Sequence, residues 1–341
     1  MKIAMTHADL PNETKGGVAY QAHYMANALI DRGHDVTMFT FSPAFDECKY
    51  PVHQLGPRRF PRRLQSFEFA GALARTDFST FDVVHTHGDN YLMRNVHPQV
   101  RTFHGSAQDE ATSSESIKRK IYQSVMARLE RAGAVVADSC VGISGTTKNR
   151  ISRINRIIPC GVDTTNFVPG EKSDQPTVLF VGALHGRKRG KLLASIYNDE
   201  IRPQVPDAVL WTVSDLPLEG TGIVNYGRVS LEKLTELYQQ AWVFCLPSTY
   251  EGFGVPYIEA MGAGTPVVAT PNPGSLEVLQ NGESGLLPED NELGAAIVRL
   301  LQNADERQSL VEKGFVRVRD FSWPKIVDQY EEVYRQAMGT R

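Results

Sequence analysis

The chain has little with which to staple itself, hold a metal or cross a membrane. Its four cysteines, Cys48, Cys140, Cys160 and Cys245, include no C-x-x-C pair and have no histidines at ligand spacing. That excludes a disulfide framework and a zinc module, and reads as free thiols in a reducing compartment. No window approaches 18 uncharged apolar residues, so no spanning helix is expected. The first apolar stretch, Ile3-Ala4-Met5, is too short for the core of a secretory leader, and a cytoplasmic location is expected. The Asn12-Glu13-Thr14 sequon then has no consequence. Asp-x-Asp, a common handle for a divalent ion on a diphosphate, is absent, as are H-E-x-x-H, G-x-S-x-G and the P-loop pattern. Charge of one sign is also lacking: 36 basic and 39 acidic residues leave −3, which gives no footing for wholesale nucleic-acid binding.

What is present is an ordinary soluble composition, 41% hydrophobic and 22% charged, on 341 residues, a length that suits two domains. Lys2 to Thr6 reads as a strand. A loop with Gly16-Gly17 follows, and then Ala22, Met25, Ala26, Leu29 and Ile30 mark a helix stripe closed by Gly33. Val36 to Phe41 resumes as a strand, completing a βαβ unit. Apolar segments at Val83–His87, Val100–His104, Ala134–Ala137 and Arg156–Pro159 keep that rhythm as strands, with a helix over 116–132. A stretch of proline, glycine and charge, Phe167–Pro176, reads as a linker. Strands resume at Thr177–Gly182, Val209–Val213, Ile223–Tyr226, Trp242–Pro247, Val267–Thr270 and Gly285–Leu287. Helices are expected at Leu231–Gln240 and Glu292–Leu301. A final amphipathic helix, Trp323–Met338, docks on its own domain or on the first. The fold class is α/β, with two doubly wound domains covering 1–168 and 174–322 and a C-terminal helix over 323–341.

The chemistry concentrates in loops after strands, where open α/β sheets bind ligands. Glu251 lies in such a loop, and Glu259 follows eight positions on, early in a helix that Pro256 helps to start. Ionised carboxylates only accept hydrogen bonds, which suits a hydroxyl-rich ligand, while Gly252, Gly254 and the helix end suit an anion. A nucleotide sugar has both parts. The bland alternative is an ordinary acidic first turn after a glycine loop. Arg187, Lys188, Arg189 and Lys191 put four cations in five residues after another strand, fitted to charge developing on a leaving diphosphate, or else to a solvated loop. His104 closes a strand where its ring reaches into a crevice, although a lone histidine there is commonly structural. Gly16 and Gly17 offer backbone amides to a phosphate or merely turn the chain. The run Arg58–Arg63, with Phe60 and Phe67 about it, reads as an exposed loop, as a contact for an anionic lipid surface on the inner face of a membrane, or as a contact for a phosphorylated acceptor.

In order along nearly the whole chain, these stretches resemble the retaining family-4 glycosyltransferases of GT-B fold. The residues that carry the resemblance are Gly16-Gly17, Arg32–Val36, Thr102-Phe103-His104, Ile158–Asp163, Val181-Gly182, Glu251–Glu259 with its sequel to Val268, and Asn281–Leu287. The Glu-x7-Glu segment is the most specific. The resemblance implies two Rossmann-like domains facing a central cleft, the first on the acceptor side and the second holding the nucleotide sugar, with the last helix crossing back to the first. It also implies transfer with retention at the anomeric carbon, without metal or other cofactor, from a nucleotide-diphosphate donor to a hydroxyl acceptor on a polysaccharide, a lipid-linked glycan or a small glycoside. Glu259 would bind ribose and Glu251 the donor sugar. The amides of Phe253, Gly254 and Val255 would hold sugar or phosphate oxygens, Gly17 would face the diphosphate, and His104 would lie near the anomeric centre. Two departures stand out. Ala183 occupies the place of the arginine usual after Val-Gly, with Arg189 in the following lysine slot, and Cys160 replaces a frequent asparagine. Leaving-group stabilisation then falls to Arg187, Lys188 and Arg189. A nucleotide-sugar-binding protein without turnover and a nucleotide-sugar epimerase of similar architecture are the alternatives.

Overall fold

The computed structural model describes residues 1–11, 17–112 and 116–339, with Arg62 described by its backbone alone. The candidate Gly16 and the sequon at 12–14 lie outside the described residues. The chain divides into two compact units, one formed by Met1–Gly161 with Trp323–Arg341 and the other by Val162–Ser322.

Unit 1 holds a seven-stranded parallel sheet of β1 (Lys2–Thr6), β2 (Asp35–Thr40), β3 (Val52–Gln54), β4 (Val83–Thr86), β5 (Gln99–Phe103), β6 (Ser139–Gly142) and β7 (Arg156–Ile157), in the order β3-β2-β1-β4-β5-β6-β7. β4 and β5 are buried along their whole length, as expected of strands covered on both faces. The helix Val18–Asp31 buries Ala22, Met25, Ala26 and Leu29 against this sheet. The last helix, Trp323–Gly339, adds Ile326, Val327, Tyr330, Val333, Tyr334 and Ala337 to the same core, so it belongs to unit 1.

Three segments correct the sequence reading of this unit. Ala134–Val136 is not a strand but the last turn of a 20-residue helix, Ile117–Val136. The strand comes after it, where Arg101 pairs with Cys140 and Thr102 with Val141. A short apolar run has no period that separates a buried helix end from a strand, and here the small residues Gly133 and Ala134 let the helix approach closely. A Cβ on Gly133 would stand 2.3 Å from Asn90 Oδ1. The strand β3 and the helix Gln65–Leu73 were absent from the sequence reading.

Unit 2 holds a five-stranded parallel sheet of β8 (Thr177–Val181), β9 (Val209–Val213), β10 (Ile223–Asn225), β11 (Val243–Leu246) and β12 (Val267–Ala269), ordered β10-β9-β8-β11-β12. Gly285–Leu287 does not form a further strand and makes only the bridge between Val268 and Leu286. The stretch that reads as a linker is tied down: Lys172 Nζ shares its three N–H donors among the carbonyls of Gln239, Ala241 and Gly264 at 2.9 Å and Thr265 Oγ1 at 2.8 Å. All four cysteines are free. No helix among the described residues is long and apolar enough to cross a membrane.

Candidate functional site

In an open parallel sheet, a crevice forms where neighbouring strands send their connections to opposite faces. That switch point lies between β8 and β11 in unit 2, and between β1 and β4 in unit 1. Each is built from the loops that follow those strands.

In unit 2, β8 runs into Gly182 at φ 152°, where a Cβ would stand 2.4 Å from Lys188 Cδ. The absent side chain is the space that the lysine stem occupies. One 3₁₀ turn, Gly186–Lys188, and a left-handed Arg189 (φ 52°, ψ 39°) lead into the helix Gly190–Ile196. The loop after β11 brings Glu251 to the same place. Its Oε1 meets Arg187 Nη1 at 2.8 Å and Lys188 Nζ at 3.0 Å, and accepts from Ser248 Oγ at 2.7 Å. Burial works to raise the Glu251 carboxyl, but the two cations and the hydroxyl overcome it and hold its pKa below the usual carboxylate range. Burial also lowers the Lys188 ammonium, against the pull of Glu251.

The loop is braced from behind. Asn272 Nδ2 and Thr270 Oγ1 both donate to the Ser248 carbonyl at 3.0 Å, and Asn272 closes a capping box on the helix Pro273–Val278. That helix leans so close that a Cβ on Gly274 would stand 2.5 Å from the Phe253 carbonyl. The Phe253 ring is buried edge-on against Phe321. Gly254 takes φ 100°, a conformation that favours glycine, and caps the helix Val255–Gly262. The first bond inside that helix runs from the Tyr257 amide to the Gly254 carbonyl at 2.9 Å. The amides of Gly254 and Val255 precede it, among those a helix leaves without an internal acceptor. Glu259 sits one turn in, accepting from Tyr238 Oη at 3.1 Å. Burial pushes its pKa up to about 7, against the Tyr238 hydrogen bond and the nearby Lys188 charge.

The structure therefore gathers Gly182, Arg187, Lys188 and Glu251, with Glu259 in electrostatic range of Lys188. It does not gather Arg189 with them. That guanidinium forks onto Asp290 at 2.6 and 2.8 Å and donates to the Pro247 carbonyl and to Thr270 Oγ1. Three cations adjacent in sequence thus have two destinations. The left-handed turn at Arg189 sends its side chain elsewhere, a backbone effect that charge spacing does not reveal. Tyr238 and Asp290 were missed, since each partners a site residue from a distant stretch.

In unit 1, His7 follows β1, His87 follows β4 and His104 follows β5. His87 Nδ1 and His104 Nε2 are 2.9 Å apart, and the His85 and His87 rings stack with centroids 4.3 Å apart. His87 Nε2 is buried with no hydrogen-bond partner among the described residues. The arrangement that leaves no buried N–H unpaired has His87 donate from Nδ1 to His104 Nε2, with the His104 proton on Nδ1. Burial, then the nearby charges of His7 and Arg101, hold the His104 pKa well below the usual histidine value, and His87 is lowered in the same way. Both rings are neutral. Gly17 caps the helix Val18–Asp31 at φ 61°, and its carbonyl accepts from the Gln21 amide at 3.1 Å. His85 and His87 alternate at the end of a buried strand, and that alternation was the available signal for the histidine pair.

Two open parallel sheets, each with polar groups gathered at its switch point, define the GT-B class of fold. The sequence model described as Glycosyltransferase Family 4 matches residues 15–166, and that described as Glycosyl transferases group 1 matches residues 175–303. The chain belongs to the family-4 glycosyltransferases. It is 25% identical to a phosphatidyl-myo-inositol mannosyltransferase of Mycolicibacterium smegmatis, over 96% of this chain and 92% of the relative. Among solved structures, sucrose-phosphate synthase from Thermosynechococcus elongatus matches with a TM-score of 0.83 at 25% identity, over 100% of both chains. Anabaena HepE in complex with UDP and glucose matches in fold with a TM-score of 0.76 at 16% identity, over 98% of this chain and 99% of that one.

Proposed function

We propose that this glycosyltransferase moves a hexosyl group, with retention, from a nucleotide-diphosphate sugar to a hydroxyl acceptor, using protein cations rather than a metal at the diphosphate. The observation that carries the reading is the convergence of Lys188 and Arg187 on Glu251 at the unit 2 switch point. When the bond between the anomeric carbon and the diphosphate oxygen breaks, its electron pair stays on the diphosphate. Lys188 and Arg187 lie where such charge would be neutralised, already oriented by Glu251 and partly withdrawn from water. Gly254 and Val255 supply amides at a helix start, Glu259 accepts from ribose hydroxyls, and Glu251 accepts from the transferred sugar. In unit 1, neutral His104 is assigned to the sugar and Gly17 to the diphosphate. Arg189 is assigned to holding the loop. A hexose is favoured by the mannosyltransferase relative and by HepE, whose structure contains UDP and glucose.

One feature favours a second reading, a binder without turnover: Ala183 stands where the resemblance calls for an arginine. A thermal-shift panel of uridine, guanosine, adenosine and thymidine diphosphate sugars identifies the donor, because stabilisation grows with concentration over Kd. Incubating that donor with and without hydroxyl acceptors then separates the readings. Acceptor-dependent release of nucleoside diphosphate is expected; binding without release would replace the transferase reading with the binder.

A further inference from the structure

The helix Ile117–Val136 is built inside out. Over 20 residues it fully buries only Ala127, Gly133 and Ala134 against unit 1, while four of its larger aliphatic side chains point outward. Ile117 is 73% exposed, Ile121 63%, Val135 67% and Val125 37%. At 100° per residue these four fall within about 80° of one another, on one stripe about 30 Å long. A folded domain gains nothing from arranging aliphatic residues this way in water, and exposed apolar residues aligned on one helix face mark an interaction site.

Charge indicates the partner. The helix carries Lys118, Arg119, Lys120, Arg128 and Arg131 against a single acid, Glu130, whose carboxylate accepts from the Ala107 amide. Lys118 falls on one edge of the stripe and Lys120 and Arg131 on the other, while Arg128 lies within it, where its long stem lets the head group reach out of an apolar layer. Arg119 points elsewhere and meets Glu110 at 3.7 Å. An apolar stripe with cations along both edges is the pattern of a helix lying in the plane of a membrane surface. A second exposed apolar cluster adjoins it. Tyr122 of the helix lies within electrostatic range of Tyr91, and Phe67 packs edge-on against Tyr91. Phe67, Phe60 and Leu92 are themselves exposed, with Arg59 and Arg63 beside them.

We infer that unit 1 docks on an anionic lipid bilayer through the outer stripe of the helix Ile117–Val136, with Phe60, Phe67 and Leu92 at its margin. The Arg58–Arg63 run contributes less than its composition implies, because Arg58 turns inward to Asp9, the Ala8 carbonyl and Gln65.

The test is flotation of the full chain with vesicles of phosphatidylcholine alone and of phosphatidylcholine with phosphatidylglycerol, at low and high salt. It needs no turnover, so its outcome is separate from that of the transferase reading. Binding is expected only to the anionic vesicles and should weaken with salt. The Ile117→Ser/Ile121→Ser/Val125→Ser variant should lower partition at least tenfold with circular dichroism and melting unchanged, since the replaced groups are exposed. Lys118→Glu/Lys120→Glu should lower it by about fivefold or more per cation, the fold-change that corresponds to about 1 kcal/mol each. In Ile121→Trp, the new indole should shift to shorter emission wavelength on anionic vesicles. Failure of the wild type to float, or equal flotation of the serine variant, overturns the inference. A serine variant that changes from dimer to monomer without a change in partition assigns the stripe to self-association instead.

Discussion

The two switch points share a topology and differ in electrical character. In unit 2 the loops after β8 and β11 bring opposite charges together, and Glu251 stays ionised because Lys188 and Arg187 outweigh its burial. In unit 1 the corresponding strand ends bring histidines together, and burial holds them neutral. The backbone fixes where side chains meet. Which side chains meet decides whether the crevice answers charge or offers only neutral hydrogen bonds.

The largest expected consequence is that acid separates the units. The pKa of His23 is lowered to about 4 and that of His85 to about 3, and His87 and His104 are also lowered, in each case mainly by burial. A histidine whose folded pKa lies below its unfolded value near 6.5 contributes stability that is complete above 6.5 and is lost as pH falls toward the folded pKa. The loss is up to about 1.4 kcal/mol per pH unit for each. Glu259 has the opposite sign. Its pKa is raised to about 7, so its contribution is favourable below the unfolded carboxylate pKa and is lost as pH rises through 7. Between pH 7 and pH 5.5, unit 1 should weaken while this term in unit 2 improves. Trp323 belongs to unit 1 and Trp211 and Trp242 to unit 2, so single-tryptophan variants report each separately. Melts that move together over this range would remove the contrast.

Next in size is a division within the basic loop. Lys188→Ala takes away a buried cation that the proposed reaction needs, and turnover should fall about 10²–10³-fold with a smaller change in donor affinity. Arg189→Ala should do the reverse. It deletes the fork to Asp290 and the bond to the Pro247 carbonyl, lowering stability by about 1–3 kcal/mol with turnover per folded molecule nearly kept. Single-turnover rates together with urea titrations separate the two, and equal kinetic losses would return Arg189 to the chemistry.

That division marks where the sequence stops being readable. Strand and helix alternation was legible because parallel strands buried on both faces leave continuous apolar runs, and β8, β9 and β11 lie where such runs fall. The Glu251 and Glu259 spacing was legible because both sit on one loop and helix. What failed was nonlocal or conformational. Ala134–Val136 has the composition of a strand and closes a helix. Arg189 has the composition of its neighbours and a left-handed backbone. Asp290 and His87 matter only through partners far along the chain, Arg189 for the one and His104, which follows the strand beside β4, for the other, and no local pattern carries such a pairing.

The smallest expected effect tests whether Glu259 of the unit 2 crevice titrates in the neutral range. Ribose hydroxyls are best met by an ionised carboxylate, which only accepts hydrogen bonds, whereas a protonated one must place a donor of its own. With the Glu259 pKa raised to about 7 in the free protein, donor binding at pH 6 must first remove a proton. Affinity should then rise about tenfold from pH 6 to pH 8, about 1.4 kcal/mol, and level off. Calorimetry in buffers of different ionisation enthalpy should register nearly one proton released per donor bound at pH 6 and almost none at pH 8.5. The ligand must be an intact nucleotide-diphosphate sugar, because a free nucleoside diphosphate has a terminal phosphate that titrates in the same window. Glu259→Gln should bind more weakly with a flat profile. If the wild type is also flat while the protein still binds donor, the ribose contact belongs to another residue. His85, His87 and His104 cannot stand in for it, since burial keeps them neutral across that range.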